Sequence, residues 1–173
     1  MSWKSASAPE RAATPRPSHG DAVALAALLA LSAVVATVSG VVTVHSVETW
    51  YPTLAKPPFN PPNGLFGPVW TVLYIAMAIA AWRVWKLRGQ ANVKSALGLY
   101  VGQMALNFAW SLLFFGLHYI GVALIDVLAL LLALAATTIA FLRMNRVAGL
   151  LMVPYLAWVS FAALLNFEIW RLN

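Results

Sequence analysis

The chain has 173 residues, of which 62% are hydrophobic and only 9% are charged, so it has too little polar surface for a soluble globular domain. It contains no cysteine, and His19, His45 and His118 offer no pair at i, i+4 spacing, which excludes disulfide, thiol and clustered metal-ligand chemistry. The net charge of +6 comes from basic residues in a tail and in loops, which is typical of membrane topology and not of a nucleic-acid-binding face.

Residues 1–20 are rich in Ser, Ala, Pro and Arg and are predicted to form a disordered tail. A transit peptide is the alternative, because the segment is nearly free of acidic residues, although its prolines disfavour an amphipathic helix. The uncharged run over residues 22–44 is long enough to cross a hydrocarbon core. It predicts the first transmembrane helix.

Residues 45–64, which we call the proline-rich loop, interrupt the apolar sequence. Five prolines between Pro52 and Pro62 each remove an amide donor, so this loop lies at a membrane surface or inside a protein cavity and not in a lipid-exposed helix. Trp50 and Tyr51 mark its start at the interface. We expect the loop to cover whatever the protein recognises.

Four further apolar segments predict transmembrane helices over residues 65–85, 95–117, 121–142 and 147–170. Their short connections require neighbouring helices to be antiparallel. The predicted fold class is therefore an all-α integral membrane protein, a bundle of five transmembrane helices over residues 21–173. Basic residues concentrate on the side of the N terminus. In a bilayer that obeys the positive-inside rule this side faces the cytoplasm and the proline-rich loop faces away, but insertion into an outer membrane need not follow that rule.

Polar residues within the helices are candidates for function, because they are costly at membrane depth. Gln103, Asn107 and Ser111 form a polar stripe on the third helix, which either bonds other helices or faces a ligand. Asp126 lies in the first turns of the fourth helix, where it either anchors the helix end or serves a binding or proton-relay role.

The other face of the third helix carries small residues at every fourth position, namely Gly98, Gly102, Ala105 and Ala109. This GxxxG-like spacing allows close contact between two helices. The sequence leaves open whether the partner is a helix of the same chain or of a second subunit.

Several of the eight tryptophans lie away from the predicted interfaces, including Trp70, Trp110 and Trp158. Flat aromatic side chains between helices either pack the core or form a slot for a planar apolar ligand. Together with the polar stripe and the proline-rich loop, they favour a pocket.

The order of WY, KPPFNPP, GPVWTVLY, GLYVGQMALNFAW, FFG, ALID, PYLAW and LNFEIWR resembles the translocator protein family, also called the tryptophan-rich sensory protein or peripheral benzodiazepine receptor family. The similarity covers residues 22–173. It implies a five-helix membrane protein, commonly a homodimer, in a bacterial membrane or the mitochondrial outer membrane. Its members bind tetrapyrroles such as protoporphyrin IX and haem, and in some lineages sterols.

The resemblance also implies a pocket between the helices under the first loop. The ligand-binding residues that it assigns to this sequence are Trp50, Phe59, Leu65, Trp70, Tyr74, Asn107, Trp110, Asp126, Trp158, Ala162 and Leu165. A sterol-recognition pattern of the family corresponds to Leu165, Phe167 and Arg171.

Two residues depart from the family pattern. Phe59 replaces a tryptophan that, with the one matching Trp158, is linked to light-dependent porphyrin degradation in some bacterial members. Phe167 replaces a tyrosine of the sterol pattern. We therefore predict a receptor or sensor that binds a tetrapyrrole in this pocket and requires no cofactor, and the sequence leaves sterol binding in the same pocket open. A porphyrin-degrading enzyme and a tetrapyrrole or sterol transporter are the alternatives.

Overall fold

A computed structural model describes residues 19–173, and residues 1–18, which hold most of the predicted tail, lie outside the described part. Five helices there are long and apolar enough to cross a membrane. They are α1 (His19–Thr49), α2 (Phe66–Trp85), α3 (Val93–Ser111), α4 (Ile120–Met144) and α5 (Arg146–Leu172). A π-helical turn, Leu112–Gly116, continues α3, and 3₁₀ turns at Tyr51–Thr53 and Asn63–Leu65 lie at the two ends of the connection between α1 and α2.

Helix α1 is longer than predicted at both ends, and residues 45–49 of the predicted loop are helical. Its first turn contains Asp21, whose carboxylate complements the helix dipole and accepts a 2.7 Å hydrogen bond from Arg88. At the other end Ser46 is buried and donates a hydrogen bond to the carbonyl of Phe115. The helix continues because its contacts with α3 extend this far and the first proline is Pro52.

The helices form a closed ring in the order α1, α2, α5, α4 and α3. Helices α2 and α3 also touch across the centre of this ring. The N terminus of α1, the α2–α3 loop and the α4–α5 turn are at one end of the bundle. The proline-rich loop, the turn between α3 and α4 and the C terminus are at the other. Short connections account for the antiparallel neighbours, but α2 packs beside α5, which is distant in sequence.

Small hydroxyl side chains fill the contact between α1 and α3. The buried residues of α1 are Ser32, Ser39 and Ser46, spaced seven residues apart on one face. Ser32 lies 3.5 Å from the hydroxyl of Tyr100, and Thr43 lies 3.3 Å from that of Ser111. Such short side chains allow helices to approach closely in a membrane. The end of α1 next to the proline-rich loop therefore packs against α3.

The turn between α4 and α5 is fixed by Asn145. Its side-chain oxygen accepts a 2.9 Å hydrogen bond from the amide of Ala148 and so caps α5. The same oxygen accepts a 3.2 Å hydrogen bond from Nε of Arg83, which ties the end of α2 to this turn. Gly149 then packs directly against Leu142, where a side chain has no room.

Hydrogen bonds inside the proline-rich loop give it a defined shape. Nζ of Lys56 donates to the carbonyls of Tyr51 and Leu54, both at 2.8 Å. The buried phenol of Tyr51 donates to Oδ1 of Asn60 at 2.5 Å, and burial raises the pKa of Tyr51 to about 12. The side chain of Asn173 bonds both backbone groups of Ala55, so the C terminus holds the loop in place.

Candidate ligand-binding cavity

A cavity of about 720 Å³ lies between α1, α2 and α3 at the end covered by the proline-rich loop. Ligand sites in proteins commonly have about 300–1,000 Å³. Its wall on α1 runs along Ser39, Thr43 and Val47, and Pro52 extends this wall into the loop. At this end α1 packs against α3, so the cavity lies between α1 and α2.

The back wall of the cavity combines aromatic rings with one amide. The rings of Trp70 and Trp110 lie 6.3 Å apart with their planes inclined by 36°. Tyr74 donates a 2.5 Å hydrogen bond to Oδ1 of Asn107, and Nε1 of Trp110 donates to Oδ1 of Asn166 at 3.1 Å. This cavity is lined by four of the eleven predicted ligand-binding residues, namely Trp70, Tyr74, Asn107 and Trp110. The wall is thus mainly aromatic, and hydrogen bonds hold the Tyr74 hydroxyl, the Asn107 oxygen and the Trp110 indole nitrogen in place.

Glycines line the opening of the cavity. A Cβ atom built on Gly40, Gly64 or Gly67 meets no other atom within 4 Å. The exposed Val44 and Thr71 lie on the α1 and α2 sides of the same opening. A ligand can therefore approach from the side of the bundle, where the chain leaves space.

The predicted residues of α5 lie around a second space, which has only about 20 Å³. Trp158, Ala162 and Leu165 line it, and Trp70 and Trp110 separate it from the large cavity. Phe66 and Phe161 pack against Trp158 at ring distances of 6.3 and 5.7 Å. This space has room for about one water molecule. The open cavity therefore adjoins α1, whereas the resemblance indicated a pocket that extends to α5.

Four predicted ligand-binding residues line neither of these two spaces: Trp50, Phe59, Leu65 and Asp126. Trp50 stacks on His118 at 4.0 Å and fastens the start of the proline-rich loop to the turn between α3 and α4. Phe59 contacts Phe161 on α5 at a ring distance of 6.3 Å. Leu65 is exposed, and Asp126 is half-buried on α4 with its Oδ2 atom unpaired among the described residues.

The residues of the sterol pattern do not share one surface. Leu165 is buried towards the small space, whereas Phe167 is 41% exposed on the outside of α5. Arg171 forms an ion pair of 2.7 Å with Glu168. The three side chains thus do not form one contiguous binding surface.

The small-residue face of α3 is on the outside of the bundle. Gly98, Gly102 and Ala105 are exposed, and a Cβ atom at either glycine meets no atom within 4 Å. Ala109, the fourth predicted residue of this face, is half-buried. At Gly98 and Gly102 the structure therefore excludes a close contact with another helix in the described part of the same chain.

Reasoning from the sequence missed the contribution of α1 to the cavity. Ser39, Gly40, Thr43 and Glu48 all line it. Single serines and glycines are common in transmembrane helices and attract little attention. The seven-residue spacing of Ser32, Ser39 and Ser46 places three hydroxyls on one helical face, and this pattern could have indicated which side of α1 is buried.

Comparison with known proteins agrees with this architecture. Residues 26–171 match the sequence model of the TspO/MBR family. The chain is 46% identical over 126 residues to Translocator protein of Homo sapiens, covering 72% of this chain and 75% of that protein. It is 40% identical over 153 residues to Tryptophan-rich protein TspO of Chlorobaculum tepidum, covering 86% of this chain and 95% of that protein.

A third relative is Tryptophan-rich sensory protein of Cereibacter sphaeroides, which is 44% identical over 126 residues, covering 73% of this chain and 78% of that protein. Residues 26–171, which match the family model, cover most or all of each of the five transmembrane helices. The chain is therefore a multi-pass integral membrane protein, and it belongs to the TspO/MBR family.

Proposed function

We propose that the protein is a membrane receptor or sensor that binds a tetrapyrrole, such as protoporphyrin IX or haem, in the cavity between α1 and α2. The observation that carries this proposal is the pair of Trp70 and Trp110 rings on the wall of a cavity of about 720 Å³. Flat aromatic surfaces gain most from a flat apolar ligand. The name of the relative from Cereibacter sphaeroides, Tryptophan-rich sensory protein, supports a sensory role.

Polar groups on the cavity wall set the orientation of such a ligand. Asn107 lines the back wall together with the two tryptophans, and the hydroxyls of Thr43 on α1 and Ser111 on α3 lie 3.3 Å apart. A ligand site that is mainly apolar with a few fixed polar groups is the usual arrangement in proteins. In this proposal the porphyrin or haem is the ligand, and no further cofactor takes part.

The test is a titration of the purified, detergent-solubilised protein with protoporphyrin IX, followed by the Soret absorbance of the ligand. We expect saturable binding that weakens by about tenfold in Trp70→Ala and in Trp110→Ala, since each change removes ring contact from the wall. Trp85→Ala is the matched control, because Trp85 is exposed at the opposite end of α2.

Trp158→Ala distinguishes the two sides of the tryptophan wall. If the ligand occupies the cavity beside α1, this variant keeps its affinity, because Trp158 lines only the small space. Loss of binding in Trp158→Ala would place the ligand beside α5 and overturn the proposed site, whatever the effect of Trp70→Ala and Trp110→Ala, because those two tryptophans line both spaces.

We also propose that two copies associate through the small-residue face of α3. The exposed Gly98, Gly102 and Ala105 allow a second helix to approach closely. Because the chain has no cysteine, a single introduced cysteine reports this contact. Ala105→Cys should form a disulfide-linked dimer on oxidation in membranes, whereas Ile139→Cys on the exposed side of α4 should stay monomeric. Equal crosslinking of both variants would contradict this interface.

A further inference from the structure

Among the described residues that line the ligand cavity, the only charged side chain is acidic. Glu48, in the last turn of α1, is the one acidic residue that lines the cavity, and none of the described lining residues is a lysine or an arginine. Glu48 is exposed, and within residues 19–173 it forms neither an ion pair nor a side-chain hydrogen bond. Its negative charge at the opening is therefore not neutralised by a neighbouring side chain.

Lys56 and Arg171 lie at this end of the bundle, but the contacts of their side chains are outside the cavity lining. Nζ of Lys56 is surrounded by carbonyls of its own loop, those of Tyr51 and Leu54 at 2.8 Å and that of Pro52 at 3.4 Å, and it lies 5.1 Å from the centre of the Tyr51 ring. Arg171 is paired with Glu168. Lys56 keeps its positive charge, but neither Lys56 nor Arg171 is among the described residues that line the cavity, so Glu48 is the only charged side chain of that lining.

Like charges repel, and the repulsion is strongest where water is partly excluded, as at the opening of an apolar cavity. An anionic group on a ligand therefore meets an unfavourable potential as it passes Glu48, whereas a neutral or cationic group does not. Salt weakens the effect, because the Debye length is about 10 Å at 0.1 M ionic strength.

We propose that Glu48 selects ligands by charge, so that the cavity favours a planar amphiphile whose polar end is neutral or cationic over one with free carboxylates. This inference rests on the proposed function, because it concerns the same cavity. It specifies the charge of the ligands that the cavity binds. A tetrapyrrole diacid binds with a penalty that its neutral ester does not incur.

The experiment compares two probes that share one macrocycle, protoporphyrin IX with two carboxylates and its uncharged dimethyl ester. Both are titrated into the full-length protein and into Glu48→Gln and Glu48→Lys. We expect the affinity for the diacid to rise about threefold in Glu48→Gln and about tenfold in Glu48→Lys at low salt, and the affinity for the ester to stay unchanged.

Glu168→Gln is the matched control, because it removes a carboxylate at the same end of the bundle that does not line the cavity. Since Glu48 is exposed at a helix end, its variants are expected to fold normally, and circular dichroism checks this. High salt should narrow the difference between the wild type and Glu48→Lys for the diacid.

The outcomes separate the two proposals. If neither probe binds the wild type, the proposed function and the charge selection both fail. If both probes bind but the ratio of their affinities is the same in the wild type, Glu48→Gln and Glu48→Lys, charge selection by Glu48 is wrong and the proposed function stands. If Glu168→Gln shifts the affinity ratio as much as Glu48→Gln does, the ratio depends on the total charge at this end of the bundle. The assignment of charge selection to Glu48 is then overturned.

Discussion

The phenol of Tyr74 on α2 donates a hydrogen bond of 2.5 Å to Oδ1 of Asn107 on α3, at the back wall of the ligand cavity. Both side chains are buried, and α2 and α3 are neighbours across the centre of the ring. Trp70 and Trp110 lie one helical turn away from this pair, each on the same helix as one partner. The bond therefore fixes the relative position of the two tryptophan rings that form the proposed binding surface.

We expect Tyr74→Phe to lower the free energy of unfolding by about 0.5–2 kcal/mol, because Oδ1 of Asn107 loses its donor in a buried, apolar place. The measurement is denaturant unfolding in detergent, followed by helical circular dichroism. Tyr119→Phe is the control, since Tyr119 is 57% exposed. Equal stability of the two variants would show that the bond contributes nothing to the bundle.

Gly40→Leu tests the cavity by filling it. A Cβ atom at Gly40 meets no atom within 4 Å, so the larger side chain can extend into the cavity without displacing neighbouring atoms. We expect protoporphyrin IX affinity to fall by about tenfold or more while the thermal midpoint stays the same or rises, since leucine is a better helix former than glycine.

Val41→Leu is the control for Gly40→Leu, because Val41 is 68% exposed on the outside of the same helix turn. It should keep both its affinity and its thermal midpoint. Full affinity in Gly40→Leu, with the variant folded, would show that the ligand does not occupy the cavity beside α1.

The sequence was sufficient to predict five transmembrane helices, because each is an apolar segment long enough to span a bilayer. It was also sufficient to single out Trp70, Asn107 and Trp110, since tryptophans and amides stand out within apolar helices. The order of the five helices around the bundle could not be predicted from the sequence. Apolar helices carry little information on which faces meet, and only packing places α2 beside α5.

The shape of the site depends on contacts between residues far apart in sequence. The prolines predicted that the loop is not helical, but its position is set by Lys56, which bonds carbonyls of the loop, and by Asn173 at the other end of the chain. The opening of the cavity beside α1 depends on the short serine side chains that bring α1 to α3. Neither relationship follows from a local pattern.

Gly149→Ala is expected to destabilise the protein, because the added Cβ would lie 2.6 Å from the backbone nitrogen of Leu142 and even closer to its side chain. Backbone atoms cannot move aside as a side-chain end can, so α5 must shift away from α4. Overpacking of this kind costs about 1–3 kcal/mol.

Gly40→Ala is the matched control for Gly149→Ala, because it is the same substitution within a helix but has no atom within 4 Å of the new Cβ. It should raise the free energy of unfolding slightly, as alanine favours helix. If both variants unfold at the same denaturant concentration, the close contact between Gly149 and Leu142 does not limit the packing of α4 and α5.

Alkaline pH should release the proline-rich loop through Tyr51. The buried phenol has a pKa raised to about 12, against about 10 for an exposed tyrosine, because burial disfavours the phenolate. The neutral form is thus favoured in the folded state. Its contribution to stability is complete below about pH 10 and is lost as the pH rises through about 12.

The measurement is the tyrosinate absorbance of the wild type minus that of Tyr51→Phe as a function of pH. We expect this difference to titrate near pH 12, and we expect the stability of Tyr51→Phe to depend less on pH between about 10 and 12 than that of the wild type. The phenylalanine keeps the ring contacts with Phe114 and Phe115 but lacks the hydroxyl that bonds Asn60. A difference that titrates near pH 10 would mean that the phenol is open to water and that the loop does not enclose it.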